Sequence, residues 1–233
     1  MDRVRHVAVS RRRGRAAGES TAGEIRSVAL DLFYKHGFQA TTLRHIASRV
    51  GIQVGSLYNH ITSKGELLFD IMETVMQALL DDQHQVAQEP DVVERIRLLV
   101  YHHVRFHSEQ TKEVFIGNSE LRSLNRQQRA RIVALRHEYE QMFQKELEDG
   151  IRQGKFLRVD VQVTSFGILA MTTWVSSWYS ARGRLSLEEI ADIYSDMVLR
   201  GIWNPAAGQL QTHLRRVERD NAKRSLAAAG ASK

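Results

Sequence analysis

Between residues 42 and 60 the chain reads TLRHIASRVGIQVGSLYNH, with Lys64 four positions further on. Gln53 and Ser56 offer short hydrogen-bonding groups of the kind that reach base edges in a major groove. Val54 and Gly55 between them are compact, and the glycine would let the backbone come close. Thr42, Arg44, Tyr58, His60 and Lys64 supply hydroxyls and cations for phosphate oxygens, and Asn59 belongs to the same outward set. The chemistry these types suit is the gripping of duplex DNA. Residues fit for bond-making are sparse elsewhere. The absence of cysteine removes thiolate nucleophiles, thiolate metal sites and disulfides, and neither a G-x-S-x-G elbow nor a phosphate-binding loop occurs. His103 and His107, beside His102, lie one helical turn apart and could share an ion. A carboxylate-rich di-iron bundle would need Glu-x-x-His twice, however, and the chain has none. No metal ligand and no catalytic residue is assigned.

Elements must hold those side chains outward. Ile25, Val28, Ala29, Leu32 and Phe33 draw one apolar stripe at helical spacing, and Gly37 stops it. Thr42 caps a short helix carrying Leu43, Ile46, Ala47 and Val50, which Gly51 ends. A second short helix follows near residues 53–60, with Ile52 and Leu57 turned into a small core. Two short amphipathic helices joined at a glycine have the layout of a helix-turn-helix. Ser63 with Glu66 forms a capping box for a long helix with Leu67, Leu68, Ile71, Met72, Val75, Met76, Leu79 and Leu80 on its stripe. Further helices are predicted from Asp91 through Val104, over 114–124, 127–153 and 161–179, and over 186–203 with a second capping box at Ser186 and Glu189. The fold class is all-α, about nine helices, three in a head and six in a body. No internal repeat occurs.

The head carries a resemblance. Helix one ends in F-Y-K-H-G-F, followed by A-T-T-L-R-H-I-A-S-R-V-G-I and G-S-L-Y-N-H-I-T-S-K-G-E-L-L, and over residues 22–70 this resembles the TetR/AcrR family of transcriptional repressors. The resemblance implies that Tyr58, His60 and Lys64 meet the DNA backbone. Ile61 stands where the family usually has phenylalanine, and Gly65 replaces a better helix former, costing the helix start about 1 kcal/mol relative to alanine. It also implies an effector pocket among the middle helices and a homodimer interface on the last two. Those two carry broad apolar faces, and Phe166, Leu169, Thr173, Ile190, Ile193, Tyr194 and Met197 are the interface candidates. The segments G-N-S-E-L-R-S-L and T-T-W-V-S-S-W-Y-S-A-R-G-R-L-S resemble the members that respond to acyl-CoA thioesters of lipid, aromatic or steroid catabolism. Such an effector needs an apolar tunnel and cations for its phosphates. Phe115, Tyr139, Met171, Trp174, Trp178 and Tyr179 are candidates for the first, and Arg122, Arg182 and Arg184 for the second. Tryptophans four apart serve equally as core or dimer packing, and that alternative stays open.

Composition bounds the rest. A chain of 233 residues that is 42% apolar can bury a real core. The net charge of +6 sits at the ends: residues 1–20 hold six arginines against Asp2 and Glu19, and 204–233 hold six Lys and Arg against Glu218 and Asp220. The middle is slightly acidic, so the chain meets polyanions through its ends. The expected organisation is a disordered basic arm over 1–20, the helix-turn-helix domain over 21–67, a ligand-binding and dimerisation domain over 68–203, and a basic disordered tail over 204–233. Residues 1–17 have no apolar stretch behind their arginines, which reads as a cytoplasmic chain without a signal peptide. The most apolar window, 161–175, is broken by Gln162, Thr164 and Ser165, so no membrane partner is expected. The function expected is a repressor freed from a palindromic operator by a small molecule, with no cofactor besides that effector. A constitutive DNA-binding protein and a helical-bundle acyl-CoA enzyme are the alternatives.

Overall fold

The structure, a computed structural model, describes residues 21–84 and 86–215. Among the described residues these α-helices follow one another, before a helical segment that begins at 210: α1 (residues 21–36), α2 (Leu43–Val50), α3 (Val54–Leu57), α4 (Lys64–His84), α5 (Val92–Glu109), α6 (Thr111–Ser119), α7 (Arg126–Arg152), α8 (Val161–Thr173), α9 (Val175–Trp178) and α10 (Leu187–Ile202). Among the described residues no strand forms, only one antiparallel bridge between Phe156 and Trp203. The chain divides into two compact units. The first takes the described residues up to Val75 together with Lys112–Ile132; the second takes Met76–Thr111 and the described residues from Val133 on. Both α4 and α7 have residues in each.

In the first unit the stripes converge on one core, with Ile25, Ala29, Phe33, Ile46, Leu57 and Leu68 sealed from solvent. Local chemistry fixes the ends of its helices. Gly37 and Gly51 both take φ of 80°, a left-handed conformation that ends a helix cheaply only at glycine. The Thr42 hydroxyl accepts from the His45 amide at 3.2 Å and caps α2. Helix α3 is shorter than its predicted span of 53–60. Beyond Leu57 the chain closes Asn59 N to Ser56 O at 3.2 Å and His60 N to Leu57 O at 3.0 Å, the i to i+3 pattern of a tightening turn. Ser63 caps α4 by accepting from the Glu66 amide, while the Glu66 carboxylate accepts from Gln128 Nε2 at 2.9 Å.

In the second unit α10 lies along α5, and Ser195 Oγ donates to Arg97 O across them. Val104, Val175, Leu187, Ile190 and Ala191 make one apolar cluster there. Asp91 caps α5 through the Val93 and Glu94 amides, and Ser186 with Glu189 completes a capping box on α10. The Arg95 guanidinium meets the Glu146 carboxylate at 2.6 Å, a largely buried pair joining α5 to α7. Gly150 of α7 lies under the Phe156 ring, where a Cβ would come within 1.9 Å of a ring carbon.

Two sequence expectations need correcting. The helix predicted over 161–179 is interrupted at Trp174, where Ser176 Oγ donates to Thr173 O and Ser177 Oγ to Trp174 O, each at 2.7 Å. Serine hydroxyls that take backbone carbonyls compete with the helical ladder and favour a break. Residues 204–215, read from the sequence as the start of a disordered tail, hold a 3-10 turn at Pro205–Ala207 and a helical segment over 210–215. His213 is buried in that segment, with Nε2 at 2.9 Å from the Asp91 carboxylate and its ring against Trp203. The expectations for residues 1–20 and 216–233 lie outside the described residues.

Candidate functional site

The first unit presents one polar surface. Thr42, Arg44, Gln53, Gly55, Ser56, Asn59 and His60 are exposed and Val54 is half-buried, while Ile46, Ala47 and Leu57 on the opposite sides of α2 and α3 are buried. Tyr58 keeps 56% of its surface exposed, unusual for an aromatic ring beside an available core. From Leu32 to Gly65 there is no Asp or Glu, while Lys35, Arg44, Arg49 and Lys64 are present. An anion approaching this face meets no fixed charge of its own sign on that stretch.

Lys64 does not belong to the outward set. Its ammonium donates to Phe38 O and Thr41 O at 2.7 Å each and to Gln39 O at 3.3 Å, and sits 4.3 Å from the centre of the Phe38 ring. All three N–H groups are engaged, and in this structure Lys64 clamps the loop between α1 and α2. Thr41 Oγ1 fastens the same loop by donating to Gly37 O at 2.9 Å. Partial burial lowers the Lys64 pKa, with the Glu120 carboxylate opposing.

The second unit holds a buried polar chain that the sequence reading assembled only in part. His103 of α5 lies between two hydroxyls, Nδ1 at 2.8 Å from Tyr139 Oη and Nε2 at 3.0 Å from Thr173 Oγ1. The His107 ring stacks on His103 at 3.8 Å between centres, and its Nδ1 bonds to the His103 carbonyl at 3.0 Å. Gln83 of α4 adjoins Tyr139 and is wholly buried, and neither amide atom makes a well-formed hydrogen bond. Burial first, then the neighbouring His107, pushes the His103 pKa well below the usual histidine range. Burial brings His107 down to about 4, the bond to the His103 carbonyl opposing. Burial, helped by the Asp82 charge and opposed by a weak hydrogen bond from Gln83, raises the Tyr139 phenol well above its ordinary value. At neutral pH the cluster is therefore uncharged.

Of the effector candidates, Tyr139 joins this cluster and Met171 is half-buried on α8. Tyr179 packs against the apolar cluster of Val104 and Val175. Trp174 and Trp178 are 69% and 50% exposed, and Arg182 and Arg184 are exposed beyond them. Phe115 and Arg122 fall in the first unit, Phe115 half-exposed with its ring edge-to-face on Tyr34 at 5.2 Å. Of the dimer candidates, Phe166, Ile193 and Met197 are exposed and Leu169 and Tyr194 half-buried. Ile190 is buried in its own unit's core, and Thr173 is half-buried with its hydroxyl on His103. The sequence reading missed Gln83 and took His103 and His107 for a solvated or pocket-lining face rather than a metal pair. Their signal was position: 103 and 107 continue the buried stripe of Ile96, Leu99 and Val100 on α5. Both His103 nitrogens are taken by hydroxyls, and among the described residues no group of three or more His, Cys, Asp or Glu is placed to hold an ion.

Known proteins are similar to this chain in sequence and fold. Residues 25–71 match the model of the bacterial regulatory proteins of the tetR family, and residues 89–202 match the tetracyclin repressor-like C-terminal domain. The HTH-type transcriptional repressor KstR2 of Rhodococcus jostii is 30% identical over 78% of this chain and 91% of its own length. The chain belongs to the TetR family. Among solved TetR-family structures, KstR2 of Mycobacterium tuberculosis superposes with a TM-score of 0.72 at 26% identity, covering 78% of this chain and 94% of that one. AibR, solved in complex with isovaleryl coenzyme A and operator DNA, gives a TM-score of 0.69 at 30% identity, over 76% of this chain and 97% of that one. As a TetR-family member this protein is a DNA-binding transcription regulator with an N-terminal helix-turn-helix and a helical C-terminal body. No helix of the described residues is long and apolar enough to cross a membrane.

Proposed function

We propose that this protein is a homodimeric repressor that leaves its operator when an acyl-CoA thioester enters the body. The observation that carries the DNA half is the outward surface of α2 and α3, polar and basic without an acidic residue from Leu32 to Gly65. Gln53, Val54, Gly55 and Ser56 reach base edges, and Thr42, Arg44, Tyr58, Asn59 and His60 hold phosphates and sugars. Two copies set their α3 helices about 34 Å apart on successive major grooves of a palindrome. The second copy covers Val163, Phe166, Trp174, Ile193 and Met197, apolar side chains of α8 to α10 that one chain leaves 43% to 69% exposed.

The effector half is supported by relatives named repressors and by AibR, whose complex holds isovaleryl coenzyme A and operator DNA. In this chain the acyl group enters beside the buried residues of α4, α5, α7 and α8, and Arg182 and Arg184 serve the coenzyme's phosphates. Helix α4 runs unbroken from Lys64 to His84, and it is the element we propose as the lever between ligand binding and operator release. Selection of the preferred DNA site with purified protein, followed by titration of that complex with acyl-CoAs and the matching free acids, tests both halves. Release by an ester and not by its acid is expected. A complex that no ester disturbs contradicts the effector half and leaves DNA binding standing, and failure to select any palindrome contradicts the DNA half.

A further inference from the structure

Gln83 is the least satisfied group in the body. Its side chain has no exposed surface, and beyond a loose approach to the Tyr139 hydroxyl of α7 neither end of its amide makes a well-formed hydrogen bond. A buried amide in that state opposes folding, and a leucine of similar size would not. A fold retains such a group where something else supplies the missing bonds. Beside it the chain from Tyr139 through His103 to Thr173 can be read in two directions. With the proton on His103 Nε2, the imidazole donates to Thr173 Oγ1 and Nδ1 accepts from Tyr139, which leaves the tyrosine oxygen as an acceptor. With the proton on Nδ1, the imidazole donates to the tyrosine oxygen, Thr173 donates to Nε2, and the phenol hydrogen is free to be given away. The pair Gln83 and Tyr139 therefore presents donor and acceptor together, in an uncharged site stacked closed on one side by His107.

We infer that the part of the effector buried in the body carries a neutral oxygen, a hydroxyl or keto group on its acyl skeleton, and that the Gln83 amide with the Tyr139 hydroxyl receives it. This rests on the thioester reading above and narrows it from acyl-CoA in general to oxygenated acyl groups. A bare hydrocarbon chain would leave the Gln83 amide without a well-formed bond in the complex, and a carboxylate would have to bury its charge beside groups that are themselves neutral. A hydroxyl fills an acceptor and a donor position at once. A keto oxygen takes the Gln83 Nε2 hydrogens and the phenol hydrogen in the second reading of the chain.

The test uses the full-length dimer on its selected operator and three coenzyme A esters of one carbon skeleton: saturated, hydroxylated and keto. For the wild type, at least one oxygenated ester should release the operator at a concentration at least about tenfold below the saturated ester. In Gln83→Leu that ratio should fall to near one. Tyr139→Phe should reduce the ratio as well, and unloaded operator affinity and thermal melting of both variants certify that they fold. Equal release by all three esters, or a ratio unchanged in Gln83→Leu, overturns the inference and leaves thioester-relieved repression intact. Release by none of the three overturns the thioester reading, and this inference with it.

Discussion

Tyr58 and Lys64 are two of the five residues expected from the sequence to meet phosphates, and in the fold their side chains are placed differently. Tyr58 stands in solvent, whereas Lys64 caps three carbonyls of the loop before α2. Their substitutions should therefore differ in kind. Tyr58→Phe should weaken binding to every DNA sequence by a similar factor and leave thermal melting unchanged. Lys64→Met removes a charged donor from carbonyls it satisfies and should lower stability by about 2 kcal/mol, read from chemical unfolding, with DNA affinity falling only as a consequence. Gln53→Ala should alter preference at a single base-pair position by about 1–3 kcal/mol, measured by comparing selected sites. The outward residues of α2 and α3 were legible because periodicity assigns their buried partners Ile46 and Leu57. Lys64 was not, because its acceptors lie 23 to 26 residues upstream and only the folded loop brings them near. Gln83 was illegible for a similar reason. A glutamine at the end of an amphipathic stripe looks solvated until the helices facing it are in place.

Helix existence and order were readable from apolar stripes, glycine stops and capping boxes, because those signals are local. Helix α3 and the α8–α9 break show where local signals compete. Nothing in the apolar run from Val161 outweighed the serines at 176 and 177 once their hydroxyls turned to the backbone. Gly150 records a contact between elements that no local pattern carries, since its missing Cβ is the space filled by Phe156. Gly150→Ala should destabilise the second unit by about 1–3 kcal/mol, observable as a lower denaturant midpoint, even though alanine is the better helix former. The exposed faces of α8 and α10 make an opposite prediction. Ile193→Lys with Met197→Lys adds charge to side chains already in solvent in the single chain, so the fold should survive. Sedimentation should then report monomers, and operator affinity should collapse with the lost second half-site.

For the molecule as a whole, the stacked buried histidines His103 and His107 set an acid limit. In the unfolded chain a histidine titrates near 6.5, and His107 in the fold titrates at about 4. Above about pH 6.5 both states hold the neutral ring and this group gives no pH dependence. Below it the unfolded chain takes the proton first, so stability falls as the pH drops toward 4, by about 3 kcal/mol in all from His107. His103, lowered by the same cause, adds to the fall. Unfolding midpoints measured at pH 7 and pH 5 should show this loss, and His107→Gln should reduce it. The central claim is that operator and effector oppose each other through one dimer. Coupling of that kind is reciprocal, so the operator must weaken the effector as much as the effector weakens the operator. The most direct measurement is the Kd of a releasing thioester by calorimetry, with and without saturating operator duplex. A loss of affinity of roughly 5- to 150-fold with operator present is predicted. Equal affinity in both would contradict the account, since a ligand indifferent to the DNA-bound state cannot drive release.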